Sequence, residues 1–241
     1  MDSARSNVVI FGSSGAIGQA LVQTYLEGNW HVISVSRQEL RSTEIPAGSF
    51  RHVSWGVGES PNLLLDVIPN NISAIVWAQG SNCADEIGNF DETAFRVVFD
   101  ANVTYVLNTL HELLTTTKLM SPCRLIVISS IWQEISRNQK LAYTVSKSAL
   151  RGLVQSVAAD LGPDGHLINA ILPGVLDTPM TRTALSSEQI ASVTTQTPTK
   201  RLATVQDVCN LTYFLTSNAN NGITGQFIRV DGGFSDIRLF Q

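Results

Sequence analysis

The sequence predicts an α/β protein: one doubly wound parallel sheet with helices on both faces, in a single domain spanning residues 1–241. Three observations predict it. Short β-branched runs alternate with longer helical patterns, these runs are apolar on both faces, and a glycine-rich turn follows the first of them. Proline and glycine are scattered rather than pooled at a boundary, no repeat interrupts the chain, and a chain of this length buries about 70–75% of its unfolded surface in one core.

The elements follow in order. Residues 8–11 (VVIF) open the sheet, and residues 16–27 form a helix that stops at Gly28. Residues 31–35 (HVISV) make the second strand, residues 50–53 a short third one, and residues 62–68 a helix-like run. Residues 73–78 (SAIVWA) are the fourth strand, and residues 91 to about 116 a helix entered through an acidic turn. Residues 124–129 (RLIVIS) form the fifth strand. The helix at residues 143–161 carries a stripe of Leu150, Leu153, Val154, Val157, Ala158 and Leu161 and closes on Gly162-Pro163. Residues 167–172 (LINAIL) and 226–230 (QFIRV) complete the sheet.

Composition excludes several roles. Charged residues make up 15% of the chain against a usual ~25%, and apolar ones 44%, which disfavours disorder and coiled coil. A net charge of −4 argues against a nucleic-acid partner. Cys83, Cys123 and Cys209 are odd in number, far apart and without a CxxC pair, so they are expected as reduced, buried thiols and not as metal ligands. His31, His52, His111 and His166 share no motif and are expected at surfaces or strand ends. No run approaches the ~18 apolar residues that cross a bilayer, and the polar start is followed by an apolar run too short for a secretory signal. A cytoplasmic protein with no membrane partner is expected.

Three clusters can carry chemistry. Gly12, Gly15 and Gly18 in GSSGAIG stand between the first strand and the first helix, where missing side chains let pyrophosphate oxygens approach N–H groups at the helix amino end. Such glycines also serve as plain turn residues. At the end of the second strand, about 20 residues on, an acid binds a ribose 2′-OH and a base binds a 2′-phosphate. Here stand Ser36 and Arg37, with no acid before Glu39, which favours NADP (NADPH) over NAD; the other reading is a solvated surface arginine. Finally, Tyr143 and Lys147 lie one helical turn apart, thirteen residues or more past Ser130. Bringing a phenol from its usual ~10 to neutrality requires about 4 kcal/mol in favour of phenolate. One ammonium about 4 Å away at an effective dielectric near 20 supplies roughly that. The spacing alone also fits an ordinary neighbour pair on an exposed helix face.

These motifs, together with Asn102 in DANV, Ser130 in VISS, YTVSK at 143–147, NAILPGVLDTPM at 169–180 and ITGQFIRVDGG at 223–233, resemble the short-chain dehydrogenase/reductase family of about 250 residues. The resemblance implies a Rossmann-like fold and an NAD(P)-dependent oxidoreductase. Its reaction would be hydride transfer between a nicotinamide and a ketone or secondary alcohol, a small-molecule partner. It implies Tyr143 as acid/base, Lys147 as its cationic neighbour and ribose ligand, Ser130 as the hydroxyl polarising the substrate, and Asn102 as a member of a proton relay. It places Gly12, Ser14, Gly15, Ile17, Gly18, Ser36, Arg37 and Gly80 at the cofactor, and Pro173, Gly174, Val175 and Thr178 at the carboxamide.

Residues 182–200 occupy the place of a substrate lid, and Trp132, Gln133 and Glu134 stand where they line a pocket or form a mobile loop. The family likeness further implies a homo-oligomer, a dimer or tetramer, packed through the helices starting at Asp91 and Tyr143, where Ser146, Ala149, Gly152 and Ser156 allow close approach. A dinucleotide-binding regulator without catalysis is the alternative. The chain departs from the family pattern at Phe11 before the first glycine, at Trp77, Ala78, Gln79 and Gly80 after the fourth strand, and at His52 to Trp55 where an aspartate is usual.

Overall fold

In the computed structural model, residues 5–39, 48–56 and 58–239 are described. The first four and last two residues of the expected domain lie outside them. Seven parallel strands form one sheet in the order β3-β2-β1-β4-β5-β6-β7: β1 Asn7–Phe11, β2 His31–Ser36, β3 Phe50–Ser54, β4 Ile72–Trp77, β5 Leu119–Ile128, β6 Leu167–Pro173 and β7 Phe227–Val230. Registers such as Val9↔Ile33 and Val9↔Ile75 keep the pleat in phase across the sheet.

Because successive side chains alternate, each strand feeds two cores. Val9 and Phe11 join Ile33, Ile75 and Leu125 on one face, while Val8 and Ile10 join Val32, Val76 and Ile126 on the other. The first face is covered by α4 (Tyr105–Thr115) and α5 (Leu141–Leu161), which bury Val106, Leu110, Leu150 and Val154. The second is covered by α1 (Ala16–Glu27) and α8 (Val205–Thr216), which bury Leu21, Tyr25, Val208 and Leu215.

The structure differs from the sequence reading in several places. The helix expected from residue 91 is three pieces, α3 (Glu92–Phe99), a π turn at Asp100–Thr104 and α4, with Asp91 capping the start by accepting from Thr93 N and Ala94 N. The run at 62–68 yields only α2 (Pro61–Leu65). β5 starts at Leu119, where pairing to Ile72 extends it beyond its apolar run. Residues 182–200 fall across α6 (Pro179–Ala184) and α7 (Ser187–Gln196). The helix α8 was not anticipated, although Thr204 and Asp207 form a reciprocal capping box ahead of an apolar stripe. Of the three free thiols, Cys123 and Cys209 are buried, but Cys83 is only half-buried, because it sits in the irregular stretch after β4. Among the described residues no helix is long and apolar enough to cross a membrane, and no cluster of metal-ligating side chains occurs.

Candidate active site

The strand order reverses between β1 and β4, and the loops leaving them diverge there, opening a crevice at the carboxyl ends of the strands. A cleft of about 780 Å³ occupies that place. The glycines of the first turn shape it. Gly12 has φ +74°, and a Cβ there would lie 2.4 Å from Gln79 N; a Cβ on Gly18 would lie 2.2 Å from Gly12 O. Both positions exclude any side chain, so the turn presses against β4 and the first turn of α1 presses against it. At Gly15, the residue preceding α1, a Cβ would lie 3.5 Å from Gly12 O, an ordinary contact. The cradle fits a dinucleotide: bare backbone stands at a helix amino end, inside a cleft large enough for one.

Of the expected cofactor residues, Gly12, Ser14, Gly15, Ser36, Arg37 and Gly80 line the cleft. Gly18 lies beneath it. Ile17, Tyr143, Lys147, Pro173, Gly174, Val175 and Thr178 are outside that lining. Arg37 is exposed and has no ion-pair partner among the described residues, and its stem crosses bare Gly56, where a Cβ would sit 2.7 Å from Arg37 Cγ. Ser36 is buried and its hydroxyl donates to Gln38 O at 2.7 Å.

Sequence reasoning missed Gln38, Gly56, Val97, Asp100 and Tyr105 in the cleft wall, and met Trp55 and Gln79, which also line it, only as departures from the family pattern. The departures from the family pattern explain one another here. Phe11 stacks on Trp77 with ring centroids 5.9 Å apart, Tyr105 meets Phe11 edge-on at 5.6 Å, and Trp55 packs on Tyr105 at 5.5 Å. Phe11, Trp77 and Trp55 thus form one aromatic cluster with Tyr105, and Trp55 and Tyr105 reach the cleft wall.

Gly80 links the cleft to the second group of residues. A Cβ on it would lie 3.0 Å from Asn102 Oδ1 and 3.7 Å from Lys147 Nζ. Asn102 sits in the π turn, which rotates it inward; its amide accepts from Ser81 N (2.8 Å) and donates to Ser81 O (3.0 Å) and Ser146 Oγ (2.8 Å). It thereby ties the loop after β4 to α5. Lys147 is buried, donates to Ile128 O at 3.0 Å, and has its ammonium 5.7 Å from the centre of the Tyr143 ring. Lys140, another residue that sequence reasoning passed over, places a second ammonium 5.6 Å from that ring. Its spacing, one turn before Tyr143, was a usable signal.

Burial pushes the Lys147 ammonium down to about 8. Burial also raises the Tyr143 phenol above its ordinary value, with the hydrogen bond to Ser130 pulling the other way. The direction is opposite to the acidified phenol expected from the Tyr-Lys spacing, because desolvation outweighs the hydrogen bond from Ser130. Ser130 ends β5's extension into the site, and its Oγ accepts from Trp132 N at 3.3 Å. The following residues brace the site: Gln133 Oε1 accepts from Ser129 Oγ at 2.9 Å, and Glu134 pairs with Arg229 of β7. After β6, Gly174 N donates to Val230 O at 3.0 Å, and buried Thr178 caps α6 by accepting from Thr181 N.

The comparisons agree with this geometry. A family model described as enoyl-(acyl carrier protein) reductase matches residues 64–235. The 3-oxoacyl-(acyl-carrier-protein) reductase FabG of Buchnera aphidicola subsp. Baizongia pistaciae is 38% identical over 110 residues, 46% of this chain and 44% of that protein, so the chain is aligned with less than half of this relative. The reductase of the same name from Salmonella typhimurium is 25% identical over 246 residues, 93% of this chain and 95% of that protein. A solved short chain dehydrogenase family protein from Francisella tularensis subsp. tularensis superposes with a TM-score of 0.86 at 25% identity, covering 96% of this chain and 99% of that one. The family model begins at residue 64, beyond the glycine turn. With the sheet order, the glycine cradle and the Ser130, Tyr143, Lys147 group, this places the chain in the short-chain dehydrogenase/reductase family of NAD(P)-dependent oxidoreductases.

Proposed function

We propose that the protein reduces a small ketone to a secondary alcohol with NADPH, Tyr143 acting as the proton donor. The observation that carries this reading is the half-buried phenol whose pKa is raised while a buried ammonium stands across its ring. A raised phenol stays protonated at neutral pH, the state needed to deliver a proton to an alkoxide. When bound, NADPH supplies the hydride. Ser130 donates its hydroxyl hydrogen to the carbonyl oxygen, and Tyr143 gives that oxygen its proton as negative charge develops. Lys147, charged below about 8, favours the phenolate left behind and reaches the nicotinamide ribose. Asn102 holds the loop at Gly80 against α5, keeping the ammonium beside the phenol.

For cofactor choice, the backbone of Gly12, Ser14 and Gly15 receives the pyrophosphate, and the exposed guanidinium of Arg37, without an ion-pair partner among the described residues, receives the 2′-phosphate. Gly174, Val175 and Thr178, on the segment after Pro173, hold the carboxamide, and residues 182–200 close over substrate. Further parts of the reading are a cytoplasmic setting, consistent with free thiols, and a dimer or tetramer through the α3–α4 and α5 faces, where Leu107 and Val145 are exposed. The test is oxidation of NADPH in the presence of a panel of neutral and acidic ketones, with melting temperature followed alongside. Oxidation with at least one ketone is expected. A chain stabilised by NADPH that oxidises it with no carbonyl contradicts the proposal.

A further inference from the structure

A run of hydrogen bonds beneath the cleft has its direction fixed by proton counting. Ser36 Oγ lies 2.7 Å from Gln38 O, and a carbonyl only accepts, so the one hydroxyl hydrogen of Ser36 is committed there. Ser13 Oγ, 3.1 Å from Ser36 Oγ, must therefore donate to it. Ser34 must then donate to Ser13 across 2.7 Å. Nothing is left on Ser34 to give His52 Nδ1, 3.0 Å away, so the imidazole carries a hydrogen on Nδ1 and donates. Every hydrogen in the run points from β3 toward the turn after β2.

The three serines are buried, and Ser13, Ser34 and His52 do not line the cleft. The run nonetheless joins the glycine turn and the Arg37 turn, both of which line the cleft and to which the proposed function assigns the two phosphate positions of one ligand. Ser13 lies in the glycine turn, its N–H on Val35 O at 3.3 Å, and Ser36 immediately precedes Arg37. A ligand with two phosphates at a fixed separation is sensitive to the separation of the groups that receive them.

We propose that His52, Ser34 and Ser13 are positioning residues for 2′-phosphate recognition: they register the Arg37 turn against the glycine turn, and Ser36 acts as a strut while the Arg37 guanidinium meets the phosphate. This rests on the reading of NADPH as cofactor.

The test measures calorimetric affinity for adenosine 2′,5′-bisphosphate and for 5′-AMP, with KM and kcat for NADPH and NADH beside them. The variants are Ser34→Ala, His52→Leu and His52→Asn, the last keeping a donor near the Nδ1 position. Ser34→Ala and His52→Leu are expected to weaken the bisphosphate about tenfold and 5′-AMP less than about twofold, raising KM for NADPH at steady kcat, with His52→Asn close to wild type. Equal losses for both ligands, or no loss in either variant, would overturn the proposal. Failure of the NADPH reading looks different: wild-type protein would bind the two nucleotides equally.

Discussion

At the scale of single residues, Lys147 sets the pH behaviour. Its ammonium is held down to about 8, so it is charged at pH 7 and neutral at pH 9. Ketone reduction, measured as kcat/KM over pH 6–10, is expected to fall as pH rises through about 8, because loss of the charge leaves the developing phenolate without its neighbouring cation. A profile flat to pH 10 contradicts that role. Arg37→Glu is expected to invert cofactor preference: NADPH affinity falls by about 2 kcal/mol or more, as a bidentate pair is lost and a carboxylate faces the phosphate. Fluorescence titration with NADPH and NADH checks it, and parallel changes for both would refute it. What was legible in advance at this scale is proximity: Tyr143 and Lys147, four residues apart on one helix, share a face, and the ammonium lies 5.7 Å from the ring centre. The state of the phenol was not, because it depends on desolvation by groups far apart in sequence.

Elements were legible where both faces of a strand or one stripe of a helix repeat regularly. β1, β2 and α5 have that pattern, and α1 was bounded by Gly28 as expected. What escaped depends on other parts of the fold. The start of β5 is set by pairing with β4, and the π turn at Asp100–Thr104 by the inward demand of Asn102, which binds the Ser81 backbone. The cap of α8 offers a check. Thr204→Ala removes the acceptor that Asp207 N uses at 3.1 Å and should cost about 1 kcal/mol. Thermal unfolding should drop by roughly 2–4 °C for a domain of this size; an unchanged midpoint would show that the box carries no net stability. Gly18→Ala, whose methyl would meet Gly12 O at 2.2 Å, should disturb the turn and abolish dinucleotide binding before it unfolds the sheet.

For the whole molecule, the aromatic cluster of Phe11, Trp55, Trp77 and Tyr105 shows how one sequence keeps a family's crevice while replacing its usual polar residues. The replacements are coupled, so each looks like a defect alone and becomes intelligible only in the folded core. Sedimentation should give a dimer or tetramer, since Leu107 and Val145 are exposed on the helices proposed as interface; a monomer at micromolar concentration contradicts that arrangement. The central claim concerns the phenol, and Tyr143→Phe addresses it with the loss of one oxygen. The variant is expected to bind NADPH as wild type does in a thermal-shift titration, while its kcat for ketone reduction falls by about 10²–10⁴. Wild-type turnover in a variant that binds NADPH normally would contradict the account.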